Sequence, residues 1–112
     1  QIAFHDFEGV TVRKEECERL SNNLGKKSVM ILRNHGLLSV GSTIAHAFIR
    51  LHSLERACLI QTLARSTNED LIEVSDNIAK AHANEIENSD KGELAFNSMM
   101  RLMDKIDPSY KD

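Results

Sequence analysis

A chain of 112 residues, 41% hydrophobic and 28% charged, has the balance of a soluble globular protein and the length of one small domain or a piece of one. The net charge of −3 and the lack of any Lys/Arg cluster beyond Lys26-Lys27 argue against a nucleic-acid partner. No apolar run approaches the roughly 20 residues that span a bilayer, so no membrane partner is expected. The chain starts at Gln1 without a charged n-region and long apolar stretch, which reads as a processed start or a fragment instead of a signal peptide. Cys17 and Cys58 are far apart and form no C-x-x-C. A reduced, cytoplasmic setting fits them best, with Cys58 as a small buried hydrophobe and a redox role as the lesser reading.

In chain order, Gln1-Ile2-Ala3-Phe4-His5 reads as a strand entering the middle of a sheet, and Asp6-Phe7-Glu8-Gly9 as a turn. Arg13 to Leu24 is rich in helix formers with acids early, where the helix dipole favours them, and Gly25 is the expected C′ residue. Ser28-Val29-Met30-Ile31-Leu32 is a continuous apolar run, the pattern of a strand buried on both faces. Asn34-His35-Gly36 interrupts it before Leu37-Leu38-Ser39-Val40, which makes a hairpin. Ser42 or Thr43 caps a long helix that reaches Arg65. Ile44, Ala47, Phe48, Leu51, Leu54 and Cys58 recur along it at steps of three and four, as one apolar stripe.

Beyond the polar break Ser66-Thr67-Asn68, Leu71-Ile72-Glu73-Val74 reads as a short extended piece. Ser75 caps a helix from Asp76 to about Ile86, and residues 88–92 form a loop. A last helix from Glu93 carries Phe96, Met99, Leu102, Met103 and Ile106 on one side and stops at Asp107-Pro108. Strands early and helices late predict a mixed α/β layer architecture.

Five histidines are the residues most suited to chemistry: His5, His35, His46, His52 and His82. None forms an H-x-H or H-x-x-x-H pair. His46 and His52 stand about 120° apart around one helix, which suits them badly to share an ion. His46, His52 and His82 are expected on the solvated surface. His35 differs because a hairpin tip leaving a buried strand aims a side chain at a defined spot, with Gly36 supplying backbone freedom. A turn histidine without a task remains the alternative.

The segment Ile31-Leu32-Arg33-Asn34-His35-Gly36-Leu37-Leu38-Ser39-Val40-Gly41 resembles the L-x-N-H-G-L-L-x-x-G stretch of the class II aldolase/adducin family. Leu54-Glu55-Arg56-Ala57 with Gln61 resembles its companion helix. His5-Asp6-Phe7-Glu8-Gly9 resembles its H-D-Y-E-G turn, with Phe7 in the tyrosine place, and Asp107-Pro108-Ser109-Tyr110 resembles the close of adducin-like members. The order and spacing of these pieces carry the resemblance.

The resemblance implies a three-layer α/β/α fold, of which residues 1–112 would be the C-terminal portion, incomplete at the N-terminal side. It also implies a sugar-phosphate aldolase or epimerase chemistry. In it a divalent ion, zinc by type, polarises a carbonyl and is held by three histidines, two from an H-x-H segment and one from the N-H-G turn. By this match His35 is the third metal ligand. The H-x-H pair, the acidic base and the phosphate-binding loops belong to the half not found here, and neither Glu8 nor Glu55 matches the base. Glu55-Arg56 is expected to be a structural pair or a solvated helix face. Two readings stay open: a piece of a metal-dependent enzyme, inactive alone and awaiting a companion chain, or a non-catalytic self-association module. A homo-oligomer is expected under both, because an uncovered sheet edge invites pairing.

Overall fold

The computed structural model describes residues 1–9, 13–87 and 92–111. Three strands, β1 (Ile2–His5), β2 (Val29–Leu32) and β3 (Gly36–Ser39), form a sheet in the order β1-β2-β3. β1 pairs with β2 in parallel, Ile2 with Val29 through His5 with Leu32. β2 and β3 form the expected antiparallel hairpin, Met30 opposite Leu38. β1 is therefore an outer strand, not the central one. The position is natural for a strand that reaches β2 only through a helical crossover, because the hairpin already fills the other side of β2.

That crossover is α1 (Lys14–Leu24), which carries Glu15 and Glu16 in its first turn. It ends at Gly25, whose φ of 56° and ψ of −123° lie in a region that side chains with a Cβ rarely adopt; its N–H donates to the Ser21 carbonyl at 2.9 Å. Residues 10–12, just before α1, lie outside the described residues.

Pleating puts Ala3, His5, Met30 and Leu32 on one face of the sheet and Ile2, Phe4, Val29 and Ile31 on the other. α1 packs against β1 on the first face, where Asn23 meets His5. α2 (Ile44–Ser66) packs against β3 and β2 on the second, with the Ser39 hydroxyl donating to the Ala47 carbonyl at 2.8 Å. The result is a layered α/β/α arrangement. Burial in β2 is less than the apolar run suggests: Met30 is fully buried and its neighbours are half-buried.

Thr43 caps α2 as expected, its hydroxyl accepting from the His46 N–H at 3.1 Å. The single apolar stripe does not hold. α2 is packed on two sides, so its inward residues do not follow one line. Ala47 and Arg50 meet the end of the hairpin, Arg50 donating to the Val40 carbonyl at 3.0 Å. Ala45 and Phe48 instead meet α4 (Gly92–Ile106), at Gly92 and at Phe96, whose ring stands edge-on to Phe48 at 5.5 Å. Ile44, Leu51, Ile60 and Leu63 stay exposed.

α3 (Asp76–Glu87) follows residues 71–74, which lie in neither a helix nor a strand. α3 is held at its C-terminal end, where Glu87 accepts from Arg50 at 2.7 Å and from the Ser28 hydroxyl at 3.3 Å. α4 begins at Gly92, directly after residues 88–91, which lie outside the description. Its stop at Asp107 is as expected, and Pro108–Lys111 closes as a 3-10 turn with the Asp107 carboxylate accepting from the Ser109 N–H at 3.0 Å.

Ala3, Met30, Ala45 and Leu54 are the buried apolar residues among those described. The radius of gyration is 16.7 Å, against about 13 Å for a compact domain of this length. Gly25→Ala tests the backbone constraint that ends α1: urea denaturation should show a loss of about 1–3 kcal/mol, and an unchanged midpoint would mean that Gly25 is free to relax.

Candidate functional site

Ligands of open α/β sheets bind beyond the carboxyl ends of the parallel strands. Here those ends are His5 and Leu32, held side by side by the Arg33 N–H donating to the His5 carbonyl at 2.9 Å. The turn after each strand and the inner face of α1 converge there on a small cavity lined by His5, Glu8, Glu16, Leu20, Leu32 and His35, among others.

His35 sits on the hairpin connection, its N–H donating to the Leu32 carbonyl at 3.0 Å. The left-handed residue of this turn is Asn34, at φ 57°, not Gly36, which is already the first residue of β3. Asparagine tolerates that region through its short polar side chain. The His35 ring is exposed and stacks on Phe7 at 5.8 Å and 22°. The two sequence motifs, the H-D-F-E-G turn and the N-H-G turn, therefore touch through an aromatic and an imidazole.

His5 received no separate role from sequence and is the best-fixed group of the site, 5% exposed. The Asn23 amide donates to its Nδ1 at 2.8 Å, while Nε2 lies 3.7 Å from Glu8 Oε1, too far for a hydrogen bond. With Nδ1 accepting, the neutral ring carries its proton on Nε2. The readable signal was strand parity: His5 is two residues after Ala3, the most buried position of β1.

Charge in the turn is paired. Arg19 grips Glu8 with a two-point fork, Nε to Oε1 at 3.0 Å and the terminal nitrogen to Oε2. That contact holds the Glu8 carboxyl below the usual carboxylate range and raises the Arg19 guanidinium. Arg33 binds Asp6 at 2.6 Å and lies over the Phe4 ring at 5.4 Å.

These residues do not make a zinc site by themselves. Among the described residues, no group of three or more His, Cys, Asp or Glu is placed to hold a metal ion. His5 offers no lone pair on Nε2, since metal-bound histidines donate from their second nitrogen whereas Nδ1 of His5 accepts. His35 alone keeps an open imidazole at this edge.

The remaining histidines lie elsewhere. His46 is half-buried, not solvated as expected, because the start of α4 packs on it at Gly92 and Ser42 bonds its Nδ1 at 2.9 Å. His82 is exposed and shares with His46 a groove between α2 and α3. His52 is exposed and stacks on Phe48 at 6.3 Å. Glu55 and Arg56 lie on an exposed helix face; Cys58 is half-buried and Cys17 exposed.

The depressed Glu8 carboxyl links stability to acid. A group with a lowered folded pKa contributes stability above its unfolded value, near 4.5, and loses it as pH falls through the folded value. Glu8→Gln should therefore flatten the stability loss below about pH 4.5 in acid titrations of denaturant unfolding. Asp104 and Asp107, whose carboxyls are also lowered, by Lys111 with Tyr110 and by Ser109, contribute to the slope left over. An unchanged acid limb in Glu8→Gln would show that the fork does not persist in solution.

Comparison with known proteins agrees with this geometry. Residues 2–62 match the class II aldolase and adducin N-terminal domain. A Caulobacter vibrioides protein assigned by name to aldolase class 2 is 36% identical over 115 residues, covering 100% of this chain and 45% of that protein. Rat alpha-adducin is 39% identical over 121 residues, covering 95% of this chain and 16% of its own length. A crystal structure of an aldolase II superfamily protein from Pseudomonas syringae superposes with a TM-score of 0.86 at 36% identity, over 99% of this chain and 46% of that one. The chain thus spans about half the length of the aldolase-type relatives it matches. With a match over more than half its residues and the turn motifs brought together in space, the chain belongs to the class II aldolase and adducin family.

Proposed function

We propose that this chain works by assembly: it is a part of a class II aldolase/adducin domain, the part that follows the H-x-H segment by resemblance, and its own activity is self-association instead of catalysis. The observation that carries this reading is the apolar surface. Ile60 and Leu63 of α2, Met99, Leu102 and Ile106 of α4, and Ile72, which is 100% exposed, stand in solvent. Exposed apolar side chains in this number are what a surface meant to be covered leaves in solvent. The sparse core and the large radius of gyration point the same way, because a domain of this length needs most of its apolar side chains inside to be stable.

A second reading is favoured by His35. Its exposed ring, fixed against Phe7 at the carboxyl edge of the parallel strands, is placed to supply one imidazole to a divalent ion, zinc by family resemblance, whose other ligands come from a companion segment or another subunit. The complete assembly would then carry a sugar-phosphate aldolase or epimerase activity that the chain by itself lacks. No cofactor chemistry is assigned to the chain alone.

Sedimentation of the purified chain tests the first reading. The expected result is a dimer or larger species; a compact, well-folded monomer across the accessible concentration range would overturn it. Calorimetric titration with zinc, on the chain and on His35→Ala, tests the second. Tight binding that the substitution abolishes supports a shared metal site. Absence of binding in both leaves assembly as the function.

A further inference from the structure

α1 turns a polar face toward the strand ends. Glu16, Arg19, Leu20 and Asn23 recur at steps of three and four, so they share one side of the helix, within about 100° of its circumference. Glu16 and Leu20 line the cavity with His5, Glu8 and His35, while Asn23 reaches His5 and Arg19 reaches Glu8. A helix that only covers a sheet turns apolar residues inward. Here Leu20 is the single apolar member of the face, and the buried residue of the helix is Glu16, 4% exposed. Polar groups are costly to take out of water, so this face adds little to the core.

Its contacts fall instead at the two ends of one turn. His5 and Glu8 bracket Asp6 and Phe7. The Asn23 amide fixes His5 at 2.8 Å, and the two-point fork of Arg19 fixes Glu8, Nε to Oε1 at 3.0 Å. Phe7, between these anchors, is 56% exposed; packing holds its ring less than the pinned residues on either side do. That ring stacks on His35 at 5.8 Å. The His35 backbone is set separately, by its N–H donating to the Leu32 carbonyl at 3.0 Å and by the left-handed Asn34 before it. What the turn adds is a limit on the rotation of the exposed imidazole.

We infer that Asn23 and Arg19 are positioning residues for the His35 imidazole, acting through the turn that carries Phe7 against it. The inference deepens the reading in which His35 supplies an imidazole at the strand ends, and it rests on that reading for the use made of the ring. A functional side chain needs its rotamer held by packing and by hydrogen bonds one step further out. α1 supplies that outer step from two residues one helical turn apart, so a single rigid element sets both ends of the turn. Arginine is suited to the task because its planar fork fixes the carboxylate in direction as well as distance.

NMR of the His35 ring protons in the purified chain, without metal, tests this directly. A stacked ring displaces those resonances, and Phe7→Leu gives their undisplaced position; Phe7→Tyr should keep the displacement. Arg19→Gln and Asn23→Ala should each lose most of it while the amide spectrum of the sheet is retained. Arg19→Lys, which keeps the charge without the fork, should behave as Arg19→Gln does. Phe96→Leu, at the contact between α2 and α4, loosens the fold away from the turn and should leave His35 where it stands in the parent chain. Should Asn23→Ala fail to fold, the Arg19 variants decide, since that side chain is 51% exposed. Unmoved resonances in Arg19→Gln overturn the inference, as does equal movement in Phe96→Leu or a parent chain that coincides with Phe7→Leu. In a folded Asn23→Ala, unmoved resonances strike Asn23 from it. Zinc titration separates the reading beneath: displaced resonances that respond to Arg19 in a chain that binds no zinc support the positioning and remove the metal reading alone.

Discussion

The parallel pairing of β1 with β2 is the constraint on which the other features depend. The two strands touch over the register Ile2–Val29 to His5–Leu32, and a slip of one residue would exchange the faces of every side chain in β1. His5 would then stand in solvent and Phe4 under α1. The register is held by burial: Ala3 and Met30, paired neighbours, are both 0% exposed. It is held also by α1, since the crossover brings Asn23 to His5 and Arg19 to Glu8. A single hydrogen-bonded alignment thus places the imidazole inside, the carboxylate at the rim and the aromatic residues outside.

Much of this was legible in the sequence because it is local. Apolar runs bounded by Gly25 and Asn34 gave the strands, Thr43 gave the start of α2, and Pro108 gave the end of α4. What failed depended on neighbours that periodicity does not name. Ile44 and Leu51 belong to a regular apolar stripe and yet are exposed, because Ala45 and Phe48 turn toward α4 while Ala47 turns toward the hairpin. His46 sits among polar residues and is half-buried, because Gly92, 46 positions later, lies against it. At the candidate site the order of motifs singled out His35, which lines the cavity at the strand ends. The burial of His5 required the register, and its tautomer required Asn23, a residue without any motif of its own.

The polar contacts do not explain why the fold persists. Glu8–Arg19, Asp6–Arg33 and Asp104–Lys111 lie at the surface, where an ion pair contributes little after solvation and side-chain entropy are counted. They orient turns and the C-terminal tail; they do not replace a core. Few apolar side chains among the described residues are fully buried, so the core is small. The hydrophobic effect scales with area removed from water at about 25 cal/mol per Å², so exposed isoleucines and leucines on α2, α3 and α4 are the largest unused source in the molecule.

Site and surface are also joined through one short strand. Phe4, exposed on the other face of β1, is followed by His5 inside and then by the turn that carries Phe7 against His35. The register that buries His5 also fixes where that turn leaves the sheet, and so where Phe7 meets the His35 ring. This is positioning through chain connectivity and packing: one strand alignment places both the buried imidazole of His5 and the exposed one of His35.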